Sequence, residues 1–355
     1  AASAALAVSL LTPAQAATRS TVILHETNSI TGLNCSLSAT NSTTCSAVSY
    51  LQGAGFNYYN NKKELVKNTV FGSYKVVKNT ATDFRTQWTV NPGRVWSDGT
   101  PITGEDLLLS HVLSSDAYSI AAGLGDPKSK TAKPAFNGLG YSGVYDSNIV
   151  GEPVLSADKM TVTLQFKKKI ANWDLYGPGP SPVHTLVLMA EGKDKLGTVA
   201  ENEAARDRFI KAFKDKDSTL LKKMGKVWSE DYTITTVDSK TNPLLLVGNG
   251  GFQIESAVAK TSVTLKKNPK YNSGPALSGS IDTVVFKFIG DGTAAAQALA
   301  NGELDVYAGQ ATADGVAKLK AIKNVNVVGK DEVAYEHWDL HYDTVPDEAP
   351  YTGLF

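Results

Sequence analysis

The densest run of secondary-structure signals is Asn242–Tyr307, NPLLLVGNGGFQIESAVAKTSVTLKKNPKYNSGPALSGSIDTVVFKFIGDGTAAAQALANGELDVY. The glycines within residues 248–251 predict a turn that feeds a strand from Phe252, because glycine adopts positive φ without steric cost. Residues 263–267 alternate apolar and polar side chains, as a half-buried strand does. Pro269 ends that strand, since proline removes a hydrogen-bond donor and fixes φ.

The second half of the stretch predicts a buried strand followed by a helix. Residues 281–289 form an apolar run rich in β-branched and aromatic side chains, which is typical of a well-buried strand. After a glycine turn, Thr293 is the predicted cap of a helix that runs through Leu299. Asn301-Gly302 ends this helix, and residues 304–307 are predicted to begin another strand.

A second motif is VWSDGTPITGEDL at residues 95–107. Its Asp98-Gly99 pair indicates a turn. Thr103 and Asp106 have the spacing of a capping box, which places acids at the positive end of a helix. Glu105 and Asp106 could also be taken for a catalytic carboxylate pair, but the capping role explains both.

The remaining segments predict scaffold. Residues 116–147 have little periodicity and are expected to be a long surface excursion. Apolar residues recur at helical spacing in residues 201–214 and 218–227, which predicts two helices. His184 follows a proline-rich loop and is interpreted as structural, because no carboxylate or second histidine is beside it in the sequence.

Taken together, the ordered motifs resemble those of the extracellular solute-binding proteins of family 5, the dipeptide, oligopeptide and nickel class that feeds ABC importers. The similarity covers nearly the whole chain after residue 17. The matching pieces are Gly248–Phe252, Asn268-Pro269-x-Tyr271, Ile281-Asp282, Leu299–Asp305 and the Trp96–Asp106 motif.

The resemblance implies an α/β chain with the type II periplasmic-binding-protein fold, in which two lobes close around a ligand at a hinge. It implies a large lobe at residues 17–289, with a satellite subdomain at about residues 60–240. Residues 290–355 are then the start of a second lobe. Relatives continue far beyond residue 355, so we expect a second lobe that is incomplete here.

The composition is that of a soluble globular protein, with 42% apolar and 20% charged residues. Lys and Arg number 35, as do Asp and Glu, so the formal net charge is zero. This balance argues against a nucleic-acid or anionic-membrane partner, which favours a basic stripe. A neutral or zwitterionic ligand stays open, and we expect no cofactor.

The first residues, 1–16, are expected to be the remnant of a signal peptide. An apolar run precedes Ala14-Gln15-Ala16, which has the form of a cleavage site. The alternative is a short buried helix. Export would place the protein in the periplasm, on the outer face of the cell membrane, or outside the cell. No cysteine follows the cleavage site to carry a lipid anchor, so the mode of tethering stays open.

Cys35 and Cys45 are the two cysteines of the chain. In an exported protein, a close pair is most simply a disulfide that closes a small loop. The alternatives are two free thiols or half of a metal site. No histidine or second cysteine pair nearby favours a metal.

The resemblance also implies where a ligand would bind. The polar turn after the first strand and the segment after residue 306 are expected to face the cleft, with the strand around residue 337 as a weaker candidate. The predicted ligand-binding residues are Glu26, Thr27, Asn28, Tyr307, Gly309, Gln310, His337 and Trp338. Glu26 is expected to pair with the amino terminus of a peptide.

The implied function is peptide capture by a monomeric binding protein that delivers its ligand to the permease subunits of an importer. A nickel chelate, an oligosaccharide or another small solute is the alternative ligand. A secreted hydrolase is a further alternative, which lacks support: Gly140-Tyr141-Ser142-Gly143-Val144 misses the last glycine of G-x-S-x-G. The chain also has no H-E-x-x-H motif. His337 and His341 are too far apart along a strand to share a metal.

Overall fold

The computed structural model describes residues 20–141, 143–175, 177–309 and 312–329. Residues up to Gln310 form one compact unit, and those from Ala311 form a second. Within the described ranges, no helix has the length and apolar character needed to cross a membrane.

The strands of the described residues are β1 (Thr21–Glu26), β2 (Asn57–Tyr59), β3 (Leu65–Lys67), β4 (Gly72–Asn79), β5 (Phe84–Val90), β6 (Val154–Leu155), β7 (Thr161–Phe166), β8 (Phe252–Val258), β9 (Ser262–Lys267) and β10 (Thr283–Phe288). The α-helices are α1 (Thr43–Gln52), α2 (Leu109–Val112), α3 (Asp116–Ala121), α4 (Gly143–Asn148), α5 (Val183–Ala190), α6 (Val199–Asp215), α7 (Ser218–Lys226), α8 (Gly292–Ala300) and α9 (Ala313–Lys320). Short 3₁₀ turns span Gly104–Leu107, Trp173–Leu175 and Pro243–Leu246, and a π-helical turn spans Val227–Asp231.

The first sheet has the order β1-β10-β9-β8. β1 runs parallel to β10, and the other neighbours are antiparallel. Thr21 pairs with Thr283 and Glu26 with Phe288, so β1 and β10 end at the same edge of the sheet. The inward side chains of this sheet pack with Ile30 and Val48 of α1 in one core cluster.

The second sheet is antiparallel, with the order β4-β5-β7-β6. Phe84, Trp88 and Val90 alternate inward along β5 and are fully covered by the larger core cluster, to which α5, α6 and α7 contribute. This sheet and these helices fall inside the range of about 60–240 that the sequence predicts for a subdomain. The domain boundaries themselves stay predictions.

The predicted strands at residues 263–267 and 281–289 and the helix after them are confirmed as β9, β10 and α8. The predicted cap was wrong: Asp291, not Thr293, is the N-cap, and its carboxylate accepts a hydrogen bond from the backbone N–H of Ala294 at 2.7 Å. The strand predicted at residues 304–307 was also wrong, because only an isolated bridge joins Val306 to Leu24.

The glycine turn at residues 248–251 is present for a different reason from the predicted one. Gly250 is absent from the positive-φ glycines. A Cβ atom added to Gly250 would lie 2.3 Å from the carbonyl carbon of Gln52 and the carbonyl oxygen of Leu51. The Gly250 N–H donates to the Gln52 carbonyl at 2.7 Å. Glycine is therefore required here because the turn lies directly against the end of α1.

The predicted capping box is confirmed. The backbone N–H of Thr103 donates to Asp106 Oδ2 at 3.0 Å, and the Thr103 hydroxyl oxygen accepts from the turn it starts. Capping is not the whole role of the two acids. Arg206 of α6 donates to Asp106 Oδ2 at 3.0 Å and lies 3.4 Å from Glu105, and all three side chains are buried.

His184 is buried and structural, but the expectation that no carboxylate accompanies it was wrong. Its Nε2 atom lies 2.8 Å from Asp98 Oδ2. Asn202 of α6 donates to Asp98 at 3.2 Å and to the Thr100 hydroxyl at 2.8 Å. Burial alone would raise the pKa of Asp98, but the hydrogen bond and charge of His184, with those from Thr100, hold this pKa below its usual value.

The predicted surface excursion at residues 116–147 was wrong in part. Tyr118, Leu124 and Phe136 are buried in the larger core cluster. The Tyr118 ring stacks on Phe213 of α6 with a centroid distance of 4.9 Å, and its hydroxyl donates to the Phe213 carbonyl at 2.7 Å. The aromatic residues of this segment therefore anchor it to the core between stretches of loop.

The predicted disulfide is present: Cys35 and Cys45 are bonded, with their Cα atoms 5.6 Å apart. Cys45 lies in the first turn of α1, whose N-cap is Ser42. The bond therefore fastens the loop that follows β1 to the start of α1.

Candidate functional site

The candidate site begins at the shared edge where β1 and β10 end, because two later segments return to this point. The N–H of Ile289 donates to the Glu26 carbonyl at 3.0 Å. On the other side of β1, the N–H of Asp305 donates to the Ile23 carbonyl at 2.9 Å, and the N–H of His25 donates to the Val306 carbonyl at 2.9 Å. The end of β1 therefore contacts both the segment that leaves β10 and the segment that follows α8.

His25 links these two segments through its side chain. Its Nε2 atom lies 2.8 Å from the Ile289 carbonyl oxygen, and its Nδ1 atom lies 3.2 Å from the Ala308 carbonyl oxygen. The ring is buried and stacks on Tyr307 with a centroid distance of 4.9 Å and an interplanar angle of 1°. A neutral imidazole donates to one of these carbonyls, whereas an imidazolium donates to both.

The sequence interpretation missed His25. Its only signal in the sequence is a polar side chain at the end of an otherwise apolar strand, Thr21–Leu24, next to the predicted site residue Glu26. The partners that reveal its role are 264 and 283 residues away along the chain. No local pattern connects residues at such separations.

Glu26 is half-buried at the end of β1, and its Oε2 atom accepts a hydrogen bond from the Thr44 hydroxyl of α1 at 3.2 Å. This contact orients the carboxylate, and the other carboxylate oxygen is left for a further donor. Thr27 and Asn28 follow in an exposed bend. The three predicted residues therefore form a polar turn with one oriented acid.

Tyr307 and Gly309 lie on the segment that returns to β1. A Cβ atom on Gly309 would lie 2.2 Å from the Tyr307 hydroxyl, so glycine is needed for the Tyr307 ring to take its place beside His25. The structure thus brings Tyr307 next to the strand that carries Glu26. Three other predicted residues, Gln310, His337 and Trp338, lie outside the described residues.

A cavity of about 320 Å³ lies beyond the polar turn, along α1. Its apolar wall includes Trp96, Trp228, Tyr232, Leu109 and Leu186. The disulfide loop at residues 33–36, the Ser49 and Gln52 side of α1, and the glycine turn at residues 247–249 complete the lining. These segments are far apart in the sequence, which is why sequence patterns did not predict the cavity.

α1 connects the two parts of the candidate site. Thr44 in its first turn contacts Glu26, and Ser49 and Gln52 near its end line the cavity. At 1.5 Å per residue, Thr44 and Ser49 are separated by about 8 Å along the helix axis. An extended ligand of a few residues is long enough to reach from the acid to the cavity.

The chain belongs to the bacterial extracellular solute-binding proteins of family 5, whose middle-region model matches residues 75–349. No curated protein matches the chain in sequence.

Solved structures of periplasmic binding proteins share its α/β fold. One is the periplasmic EDTA-binding protein EppA, with 21% identity and a TM-score of 0.57 over 85% of this chain and 46% of that one. A second is the oligopeptide-binding protein from Thermus thermophilus with a pentapeptide, with 16% identity and a TM-score of 0.51 over 80% and 44%. A third is MoaA from A. tumefaciens R10 with mannopinic acid, with 17% identity and a TM-score of 0.52 over 85% and 48%. The chain spans about half the length of these proteins.

Proposed function

We propose that this protein is the extracytoplasmic substrate-binding component of an ABC importer, which captures peptides and delivers them to membrane permease subunits. The observation that carries the proposal is the family match over residues 75–349. Members of this family work outside the cytoplasm, so the proposed location is the periplasm, the outer face of the membrane or the surroundings of the cell. The proposed state is a monomer.

Peptides are the proposed ligand class because the fold is similar to that of an oligopeptide-binding protein solved with a pentapeptide. The oligopeptide-binding protein AppA from Bacillus subtilis, solved with a nonapeptide, has a TM-score of 0.51. A non-peptide solute, such as a nickel chelate or an oligosaccharide, is the second candidate. The EDTA-binding and mannopinic-acid-bound structures favour this alternative, since they have the same fold with different ligands.

The proposed mechanism is closure of two lobes around the ligand, without chemistry. The large lobe comprises residues 17–289, and the second lobe begins at residue 290, just after β10. Glu26 binds the amino terminus of the peptide, because its carboxylate is held by Thr44 and is only half-buried. Thr27, Asn28, Tyr307 and Gly309 line the same end of the cleft, and Gln310, His337 and Trp338 belong to the proposed second-lobe side.

The proposal includes no enzymatic activity. His184 and Asp98 are the histidine and carboxylate that most resemble part of a catalytic triad among the described residues. Both side chains are almost fully buried, with exposed fractions of 0% and 1%, so a substrate does not reach them. A general base must lie within hydrogen-bonding reach of the substrate.

The test is to purify the exported chain under native conditions, denature it, and identify the released small molecules by mass spectrometry. The expected result is a series of short peptides. A single non-peptide compound or a metal chelate would retain the binding role and replace the peptide assignment. Turnover of peptides or esters by the purified protein would contradict the proposed role itself.

A further inference from the structure

We propose that the cavity beside α1 receives an uncharged apolar or aromatic group of the captured solute. In a peptide, this group is a side chain near the amino terminus. The inference rests on the proposed function for the identity of the solute as a peptide. The chemistry of the group follows from the cavity itself.

The first argument is the absence of charge. None of the described residues that line the cavity is Asp, Glu, Lys, Arg or His. A charged group that entered would lose its water without gaining a partner of opposite charge, which is costly. The cavity therefore disfavours acidic and basic side chains of either sign.

The second argument is that several polar groups of the lining already have protein partners. Asn34 donates to the Trp228 carbonyl at 2.8 Å and accepts from the Ser36 N–H at 3.0 Å. Asn249 accepts from the Ala54 N–H at 2.9 Å and donates to the Ala54 carbonyl at 2.8 Å. The Ser49 hydroxyl donates to the Ser46 carbonyl at 3.1 Å. These groups shape the cavity and have little capacity left for a polar ligand.

The third argument is the wall itself. The indole rings of Trp96 and Trp228 and the side chains of Leu109 and Leu186 provide an apolar surface. Aromatic walls bind apolar and aromatic groups through burial and offset or edge-on ring contacts. The volume of about 320 Å³ is at the lower end of the range typical of ligand pockets, so it suits one side chain rather than a whole peptide.

The fourth argument locates the group along a peptide. Glu26 is the proposed partner of the amino terminus and contacts Thr44 of α1. Ser49 lies about 8 Å farther along the helix axis. An extended peptide covers this length in about two residues, so the second or third side chain would lie at the cavity.

The experiment uses calorimetric titration of the full chain with three pentapeptides, Ala-Phe-Phe-Ala-Ala, Ala-Lys-Lys-Ala-Ala and Ala-Glu-Glu-Ala-Ala. We expect the phenylalanine peptide to bind at least tenfold more tightly than either charged peptide. Equal affinities for the three peptides would overturn the inference and leave the peptide-binding role intact.

The variant for the test is Ser49→Glu, which places a carboxylate at the cavity on α1. Its matched control is Ser46→Glu, which adds the same charge to an exposed position one turn earlier, outside the lining. We expect Ser49→Glu to weaken binding of the phenylalanine peptide at least tenfold and to improve the relative affinity for the lysine peptide. The same affinities in both variants would overturn the inference.

A second probe separates the inference from the proposed function. N-acetyl-phenylalaninamide carries the aromatic group without a peptide amino terminus, and N-acetyl-lysinamide is its charged counterpart. Binding of the aromatic probe alone, lost in Ser49→Glu, with no binding of any pentapeptide, would support the cavity assignment and remove the peptide role. Failure of both the aromatic probe and the phenylalanine peptide to bind would overturn the cavity assignment.

Discussion

The Nε2 atom of His184 lies 2.8 Å from Oδ2 of Asp98, and both side chains are buried between α5, α6 and the loop that carries the Trp96–Asp106 motif. This contact, with those of Asn202 and Arg206, explains why the motif contains so many polar residues. They hold the loop to two helices that come about a hundred positions later in the chain.

The Asp98 pair gives a first prediction, on stability in acid. The Asp98 pKa is below its usual value in the folded protein, so its stabilising contribution is present above a pH of about 4 and is lost as the pH falls through the folded value. We expect Asp98→Asn to lower the free energy of unfolding at pH 7 by about 3 kcal/mol. Urea unfolding between pH 7 and pH 3 measures both effects.

The control for this prediction is Asp215→Asn. Asp215 pairs with Lys211 on the exposed face of α6, and exposed pairs of this kind contribute at most about 1 kcal/mol. Equal losses of stability in the two variants would contradict a special role for the buried pair.

His111 gives a prediction in a different pH range. Burial lowers the pKa of His111 to about 4, from its usual 6.5, and its Nδ1 atom lies 2.9 Å from the Tyr145 hydroxyl. The neutral ring is favoured in the folded state, so its contribution is complete above pH 6.5 and is lost as the pH falls toward 4. The full loss corresponds to about 3 kcal/mol.

We expect His111→Asn, which has no titrating group at this position, to have a flatter profile of stability against pH between 6.5 and 4 than the unaltered chain. Chemical unfolding at four or five pH values checks this. A profile with unchanged slope would show that other groups cause the acid sensitivity.

The disulfide gives a prediction on the loop after β1. Cys35 and Cys45 are 10 residues apart, and closing a loop of this size stabilises the folded chain by about 3 kcal/mol in the chain-entropy treatment. We expect the double Cys35→Ser, Cys45→Ser variant to lose about this much. Dithiothreitol should lower the stability of the unaltered chain and leave that of the variant unchanged.

The close approach at Gly250 predicts strong sensitivity to a single methyl group. Its Cβ would lie 2.3 Å from backbone atoms of α1, so we expect Gly250→Ala to cost about 1–3 kcal/mol through overpacking. Gly179→Ala is the matched control, because no atom lies within 4 Å of a Cβ at that position. Thermal unfolding compares the two, and a neutral Gly250→Ala would mean that α1 shifts away at little cost.

Glu26 gives a prediction on binding. We expect Glu26→Gln to weaken the affinity for a pentapeptide at least tenfold, because an ion pair with the amino terminus is lost, and to leave stability nearly unchanged. Acetylating the peptide removes the charge of the amino terminus, so the acetylated peptide should bind the two proteins equally. Glu255→Gln, an exposed change on β8, is the control variant. An equal effect of Glu26→Gln on both peptides would exclude the proposed pairing.

The features that the sequence predicted depend on residues close together in the chain. The alternation in β9, the apolar run of β10 and the capping box of Thr103 and Asp106 each involve neighbours within a few positions. The disulfide could be predicted because only one pairing of two cysteines is possible. In each case, the physical cause operates over a distance that a sequence pattern records.

The features that were missed depend on tertiary contacts. His184 and Asp98 are 86 residues apart, and His25 meets its partners across more than 260 residues. The Gly250 requirement arises from the end of α1, about 200 residues earlier, and not from φ. Glu26, Thr27 and Asn28 could be placed at the end of β1 because they follow a recognisable strand, whereas the cavity needed the assembled fold.

The parallel pairing of β1 with β10 has a consequence for the order of events during synthesis. Thr21 pairs with Thr283, so the first strand of the sheet has no neighbour on that side until residues 283–288 have left the ribosome. At the usual rate of translation, this interval is on the order of tens of seconds. Pairing across such a separation is entropically costly and slow, so β1 should be among the last strands to dock. A nascent chain of this protein therefore remains incompletely folded for most of its synthesis.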